Sequence, residues 1–189
     1  VIMAFNRRQP AEMAFASGDC AEEVHHRRWH MKDGSVVMNP GHRNPNAIRP
    51  AGPTDPELGL LILRSPERRP IAVLANLALH YVGSTRSTEV SADYFAAFGK
   101  RLQQFAGEEF VAIMANGCQG NINNLDFSRP PRTYVHPYSQ IERVATVVAA
   151  EAWKRWNLLR EEDFRSDIPL AGCLAEIPFH ARTPTQQQL

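Results

Sequence analysis

Three mostly apolar runs and one amphipathic segment occupy the centre of the chain. Residues 58–63, 71–79 and 110–115 form the apolar runs, and turn residues bound each of them, which is typical of strands buried in a sheet. Between the second and third runs, a segment that begins at Ser91 carries apolar residues at helical spacing: Phe95, Phe98, Leu102 and Phe105. Strand, helix and strand in this order predict a βαβ unit, whose two strands are then parallel.

Capping residues mark the ends of two predicted helices. Ser91 is a common N-cap residue, and Gly107 is the expected end of the first helix. Ser139 and Glu142 have the spacing of a capping box, so a longer helix is predicted to start at Ser139. Its apolar stripe is expected in the core: Ile141, Ala145, Val148, Ala152, Trp156 and Leu159.

Further strands are predicted on both sides of this centre. The turn at residues 65–70 makes the runs before and after it antiparallel neighbours. Residues 28–31 and 35–38 are predicted as the arms of a hairpin, because Asp33-Gly34 supplies the positive φ angles of a tight turn. Residues 1–9 and 172–180 are also predicted as strands.

The segment from Asn39 to Pro56 is the clearest irregular part of the chain. Its five prolines remove backbone donors and exclude both a helix and a central strand. Such a loop is either functional or a passive surface strap. Residues 9–21 have a mixed pattern that favours no single class.

These elements predict an α/β fold with a mixed sheet, a central βαβ unit and flanking helices. Neither an internal repeat nor a convincing linker divides the chain, so residues 1–189 are expected to belong to one domain. The chain begins at Val1 rather than at methionine, which is the expected appearance of part of a longer polypeptide. The cellular compartment and the oligomeric state stay open.

Composition and charge exclude several classes of partner. The chain has 189 residues, 43% of them hydrophobic, and a formal net charge of +1 from 21 basic and 20 acidic residues. This balance gives no electrostatic reason to expect a nucleic acid partner. No apolar stretch reaches the roughly 20 residues of a transmembrane helix. The three cysteines lack C-x-x-C spacing, so neither a disulfide framework nor a zinc knuckle is predicted, and Cys118 is interpreted as a small packed thiol.

Chemically versatile residues follow both strands of the predicted βαβ unit. His80 ends the first run, and a loop with two glycines and four asparagines, residues 116–124, follows the second. Because the carboxyl ends of parallel strands meet at one edge of a sheet, His80, this loop and the helix start at Ser91 are expected together. His80 is then either a buried, hydrogen-bonded histidine or a metal ligand or proton carrier.

The loop allows two interpretations. Its residues Asn116, Gly117, Gly120, Asn121 and Asn123 permit sharp turns that point backbone N–H groups at a substrate oxygen, as in an oxyanion hole. Alternatively, it is a tight loop whose asparagines bond their own backbone.

Four segments resemble the neutral/alkaline (non-lysosomal) ceramidase-like family, in particular its bacterial branch. They are residues 55–59, 71–80, 90–94 and 114–123, and they occur in the family's order over nearly the whole chain. The resemblance implies that the chain covers the middle part of a ceramidase-like catalytic domain.

It further implies a zinc-dependent amidohydrolase that cleaves an N-acyl lipid or a related amide with a metal-activated water. His80 occupies the position of a zinc ligand in the family, whereas the other ligands lie in segments outside this chain. No cofactor other than zinc is implied.

The loop also departs from the family pattern, which usually reads Gly-Asp-(Val or Ile)-(Ser or Asn)-Pro. Here Asn121 replaces the aspartate and Asn124 the proline, and Asn123 stands where ceramidases carry serine. The alternative hypothesis is therefore a catalytically inactive binding or structural domain of the same fold.

Overall fold

The central apolar runs pair as neighbouring strands of a mixed sheet in the computed structural model, which describes residues 2–86, 88–181 and 183–186. The strands in chain order are β1 (Glu12–Asp19), β2 (His25–His26), β3 (Arg28–Met31), β4 (Val36–Met38), β5 (Ala47–Pro50), β6 (Glu57–Arg64), β7 (Pro70–Leu77), β8 (Val111–Asn116) and β9 (Ile122–Asn123). The helices are α1 (Ile2–Asn6), α2 (Asp93–Ala106) and α3 (Ser139–Leu158), and a short 3₁₀ turn (Glu161–Asp163) follows α3.

The main sheet has the order β1-β6-β7-β8. Strand β6 is antiparallel to both β1 and β7, whereas β7 and β8 are parallel and are connected through α2. The predicted βαβ unit and the mixed α/β fold class are therefore confirmed. Two small sheets, β2-β9 and β4-β3-β5, lie outside the main sheet.

Helices α2 and α3 pack on one face of the main sheet and form the core with it. Alternate residues of the strands point to the helices, for example Leu60 of β6 and Ala75 of β7, and both are buried. The predicted stripe of α3 faces this core, with Trp156 and Leu159 partly buried at its end. In α2 the buried residues are Tyr94, Phe98 and Leu102, whereas Phe105 is half-exposed, so the predicted face is rotated by about one residue.

The Asp33-Gly34 hairpin is confirmed, with one difference in its turn. Strands β3 and β4 are antiparallel, and the Gly34 N–H donates to the Met31 carbonyl at 3.0 Å. Only Gly34 of the turn pair has positive φ, at 84°. The proline-rich segment also contains β5, which lies at the edge of its small sheet. This position is compatible with the prolines, because an edge strand tolerates prolines that a central strand excludes.

Other predictions of local structure were wrong. Residues 2–6 form the short helix α1 instead of a strand, and Val1 lies outside the described residues. Residues 172–180 have no regular structure and are exposed. The predicted serine caps differ in outcome. Ala92 directly precedes α2, but the Ser91 hydroxyl accepts the N–H of Asp93, the first residue of the helix, at 2.9 Å. Ser139 does not cap α3, because it is the first residue of the helix and its hydroxyl bonds the backbone of His136. Within the described part of the chain, no helix has the length and apolarity to span a membrane.

A buried ion pair fixes α3 to the segment between β1 and β2. The Glu23 carboxylate is only 1% exposed and accepts two hydrogen bonds from the Arg143 guanidinium, of which Nη2 to Oε2 measures 2.8 Å. This carboxylate raises the pKa of Arg143 above its usual value. Because both partners would be costly to leave unpaired in the interior, the pair determines where this segment packs.

We predict that Arg143→Met lowers the free energy of unfolding by about 2–4 kcal/mol, because it leaves a buried carboxylate without its partner. The matched control is Arg69→Met, since Arg69 forms an exposed pair with Glu67 at 3.6 Å. The control should change stability by less than about 0.5 kcal/mol. Urea denaturation followed by circular dichroism measures both variants, and equal losses would contradict the prediction.

Candidate active site

His80 lies just beyond the carboxyl end of β7 and has no hydrogen-bond partner among the described residues. Strand β7 ends at Leu77, and the buried residues Ala78 and Leu79 carry the chain on to His80. The imidazole is half-buried and packs on the ring of Tyr81, with ring centroids 4.3 Å apart. His80 is therefore not the buried, hydrogen-bonded histidine of one sequence interpretation, and both of its ring nitrogens are available to other groups.

Asp93 anchors the loop that follows His80 to the start of α2. Its carboxylate oxygens accept hydrogen bonds from the N–H groups of Val82 and Gly83, each at 2.8 Å. Asp93 also has φ of 52°, in the left-handed region, which Asp tolerates better than most residues. Asp93 lies in the first turn of α2, and its carboxylate also holds the loop that follows His80.

Tyr94 holds the backbone on the other side of His80. Its hydroxyl donates to the carbonyl of Leu79 at 3.3 Å, and its ring is fully buried under the sheet. Burial raises the pKa of Tyr94 well above its usual value, so the hydroxyl keeps its proton. Asp93 and Tyr94 together therefore fix the backbone immediately before and after His80.

The glycine-rich loop after β8 begins against the same backbone. The Gly117 N–H donates to the Leu77 carbonyl at 3.0 Å. A Cβ at residue 117 would lie 3.1 Å from Oδ1 of Asn76 and 3.3 Å from Cα of Ala78, so glycine permits this close approach. The structure thus brings the two predicted halves of the site, His80 and the loop, to one edge of the sheet.

The centre of this loop presents unbonded backbone donors. None of the N–H groups of residues 118–121 donates a hydrogen bond within the described residues. The carbonyls of Gly120 and Asn121, in contrast, accept bonds from Arg27, at 2.5 Å from its Nη2 and at 2.8 Å from its backbone N. Arg27 therefore holds the carbonyl side of the loop, whereas the consecutive N–H groups of residues 118–121 stay without an acceptor among the described residues.

The asparagines of the loop differ in their roles. Asn123 connects the loop to its surroundings. Its Nδ2 donates to Oδ1 of Asn39 at 3.0 Å, and its Oδ1 accepts the Leu125 N–H at 2.9 Å. The side chains of Asn116 and Asn121 are exposed and bond to no described residue. Asn123 therefore serves the fold, whereas the use of the other loop residues as donors to a substrate oxygen stays a prediction.

Cys118 and Cys20 differ in exposure. Cys118 is exposed, so its interpretation as a packed thiol was wrong. Cys20 is fully buried, and burial raises the pKa of its thiol to about 12, which makes it unreactive at neutral pH.

A cavity of about 770 Å³ adjoins the end of the loop but contains none of the predicted site residues. Its walls include His25, His42 and Tyr134. His42 Nδ1 donates to the carbonyls of Asp126 and Arg129, at 3.1 and 2.9 Å, so this ring supports the backbone after the loop. Sequence reasoning missed the cavity, because its only signal was a proline-rich irregular segment at residues 129–137.

The described residues do not form a complete metal site. Among the described residues there is no group of three or more His, Cys, Asp or Glu side chains that could hold a metal ion. A catalytic zinc needs about three protein ligands. His80 by itself is thus insufficient, and its role as a ligand stays a prediction.

Comparison with known proteins identifies a structural likeness. No protein-family model and no curated protein sequence matches the chain. Neutral ceramidase from Pseudomonas aeruginosa matches 82% of this chain with a TM-score of 0.56 and 17% identity. A ceramidase complexed with C2 matches 84% with a TM-score of 0.58 and 17% identity.

This likeness confirms the resemblance to bacterial neutral ceramidases at the level of the fold. At 17% identity it establishes the fold alone. In both comparisons the chain spans only 24% of the ceramidase chain, so most of the ceramidase structure has no counterpart in residues 1–189.

We predict that Asp93→Asn loosens the backbone beside His80 while α2 still forms. Asparagine tolerates positive φ but lacks the charge and one acceptor oxygen, and a bond to a charged acceptor contributes about 1.5–3 kcal/mol. Hydrogen exchange of the Val82 and Gly83 amides should become at least about 10-fold faster. Asp55→Asn is the matched control, because Asp55 accepts a bond from Glu57 in another loop. Unchanged exchange at Val82 and Gly83 in Asp93→Asn would show that its carboxylate does not anchor the loop.

Proposed function

We propose that residues 1–189 belong to one ceramidase-like catalytic domain and form one wall of the active site of a zinc-dependent amide hydrolase. The substrate class is an N-acyl lipid or a related amide. The observation that carries the proposal is the placement, at one sheet edge, of an unbonded histidine and the unbonded N–H groups of residues 118–121. The likeness in fold to two ceramidases supports the same conclusion.

The binding of zinc is the more specific part of this proposal. His80 would supply one ligand, and the other ligands would come from polypeptide outside residues 1–189, because the described residues hold no complete set. When bound, zinc activates a water molecule and polarises the carbonyl of the amide.

The chain's own groups have two tasks in this proposal. The free N–H groups of residues 118–121 stabilise the negative charge that develops on the carbonyl oxygen of the amide, as preorganised donors do in an oxyanion hole. The exposed side chains of Asn116 and Asn121 offer hydrogen bonds to the polar part of the substrate. Asp93 and Tyr94 act through the backbone and keep His80 in position.

One observation favours the alternative of a catalytically inactive domain. Asn123, at the position where ceramidases carry serine, uses both ends of its amide in bonds that hold the loop together. A side chain so engaged is not free to take part in a reaction. The inactive domain would keep the fold and the loop but would neither bind zinc nor turn over an amide.

We predict that His80→Ala in the polypeptide as encoded removes bound zinc and amidase activity. Metal analysis should show about one zinc per chain in the wild type and little in the variant. Turnover of a fluorogenic N-acyl amine should fall at least about 100-fold, the size of effect that loss of a well-placed catalytic group produces.

The control is His30→Ala, because His30 is also half-buried but lies on β3. It should retain both zinc and activity. A wild-type protein without zinc and without turnover would favour the inactive domain. Zinc that is bound through His80 without amidase turnover would indicate hydrolysis of a different bond.

A further inference from the structure

Within the described part of the chain, helices cover one face of the main sheet, and the other face carries complete apolar rows. The pairing registers align Phe15, Leu61, Leu74 and Ile113 in one row across all four strands. They align Met13, Leu63, Ala72 and Val111 in the next row. We refer to these eight residues as the open face.

The open face is exposed to a degree that is unusual for such side chains. The exposed fractions are 66% for Phe15, 54% for Ile113, 52% for Val111 and 42% for Leu74. A third row, formed by Ser17, Gly59, Asn76 and Ala115, is small and weakly polar, and it lies at the end of β7 that leads to His80. The twelve outward residues of the three rows include no charged side chain.

The sequence of the strands has the pattern of a sheet covered on both faces. Strand β6 reads Glu-Leu-Gly-Leu-Leu-Ile-Leu-Arg, with apolar residues on both sides of the pleat instead of strict alternation. Strands β7 and β8 are parallel, and sheets built entirely from parallel strands are covered on both faces, although this sheet has only one parallel pair. Contiguous apolar surface of several hundred Å² is typically an interaction site.

The area of the face distinguishes between possible occupants. Four strands about 4.8 Å apart, with three rows about 6.6 Å apart, give on the order of 400 Å² for the outward surface, and the open face is two of these three rows. A stable dimer buries about 800 Å² on each partner, so a second copy packed here would be held weakly. A layer of the same polypeptide is favoured, because it does not pay the entropy of association.

We propose that the open face packs against a second layer of the same polypeptide, formed by residues outside 1–189 and presenting uncharged aliphatic and aromatic side chains. The two ceramidase chains are about four times as long as the part that this chain matches, so a fold of this kind has ample polypeptide to supply such a layer. The proposal does not depend on the proposed chemistry, because an inactive domain of this fold needs the same layer.

Hydroxyl-radical footprinting of the wild-type polypeptide, as encoded, tests whether the face is covered. Normalised to intrinsic reactivity, Phe15, Leu74 and Ile113 should be oxidised at least about 10-fold more slowly than Val135, which is 95% exposed. They should approach the rate of the fully buried Phe98. Rates like that of Val135 would show a free face and overturn the proposal. Protection that is lost on dilution would identify a second copy and also overturn it.

Photo-crosslinking identifies the occupant. Benzoylphenylalanine is placed at Leu74 or, in a second variant, at Ile113, and Gln104 on α2 is the exposed control. The expected product joins residue 74 or 113 to a peptide outside residues 1–189 of the same chain. Cross-links between ¹⁴N- and ¹⁵N-labelled chains would indicate a second copy. Cross-links to residues 166–181, whose apolar segment leaves the sheet where Arg165 pairs with Met13, would indicate the chain's own tail. Either of these results, or a yield no higher than at Gln104, would overturn the proposal.

Discussion

The parallel pairing of β7 with β8 is the constraint on which the site depends. Parallel strands bring their carboxyl ends to the same edge, and the register places Leu77 opposite Asn116. The Gly117 N–H then bonds the Leu77 carbonyl, three residues before His80. Helix α2 completes the arrangement, because its first residues bond the backbone on both sides of His80. A displacement of either strand would separate the histidine from the loop.

The parts of the fold that could be predicted from the sequence are those with a strong local signal. Strands β6 and β7 and the stripe of α3 have apolar patterns of this kind, because such patterns are expected only where the residues are buried in the core. Strand β1 could not be assigned, because Glu12–Asp19 contains small and polar residues and becomes a strand by pairing with β6. The opposite error occurred at residues 172–180, whose strand-like composition finds no partner within the described residues. Strands depend on contacts that are distant in sequence, so composition misleads in both directions.

The same distinction applies to the site. The positions of His80 and of the loop followed from the ends of two strands and needed no side-chain detail. The contacts that define the site were not predictable, since Arg27 bonds a carbonyl 93 residues away and Asn123 bonds an asparagine 84 residues away. Local rules assigned Ser91 to capping, whereas they gave no sign that the carboxylate of Asp93 holds a different loop. Which asparagines are free and which are structural is likewise determined by these distant partners.

The open face and the candidate site belong to the same sheet. The outward rows change from apolar at the start of β7 to small and polar at its end, where Asn76 lies beside Gly117. A layer that covers all three outward rows would therefore extend to the edge where His80 and the loop lie. Helices α2 and α3 occupy the other face of the sheet. If the open face is covered as proposed, the covering layer would border the candidate site, so the two proposals concern the same neighbouring polypeptide.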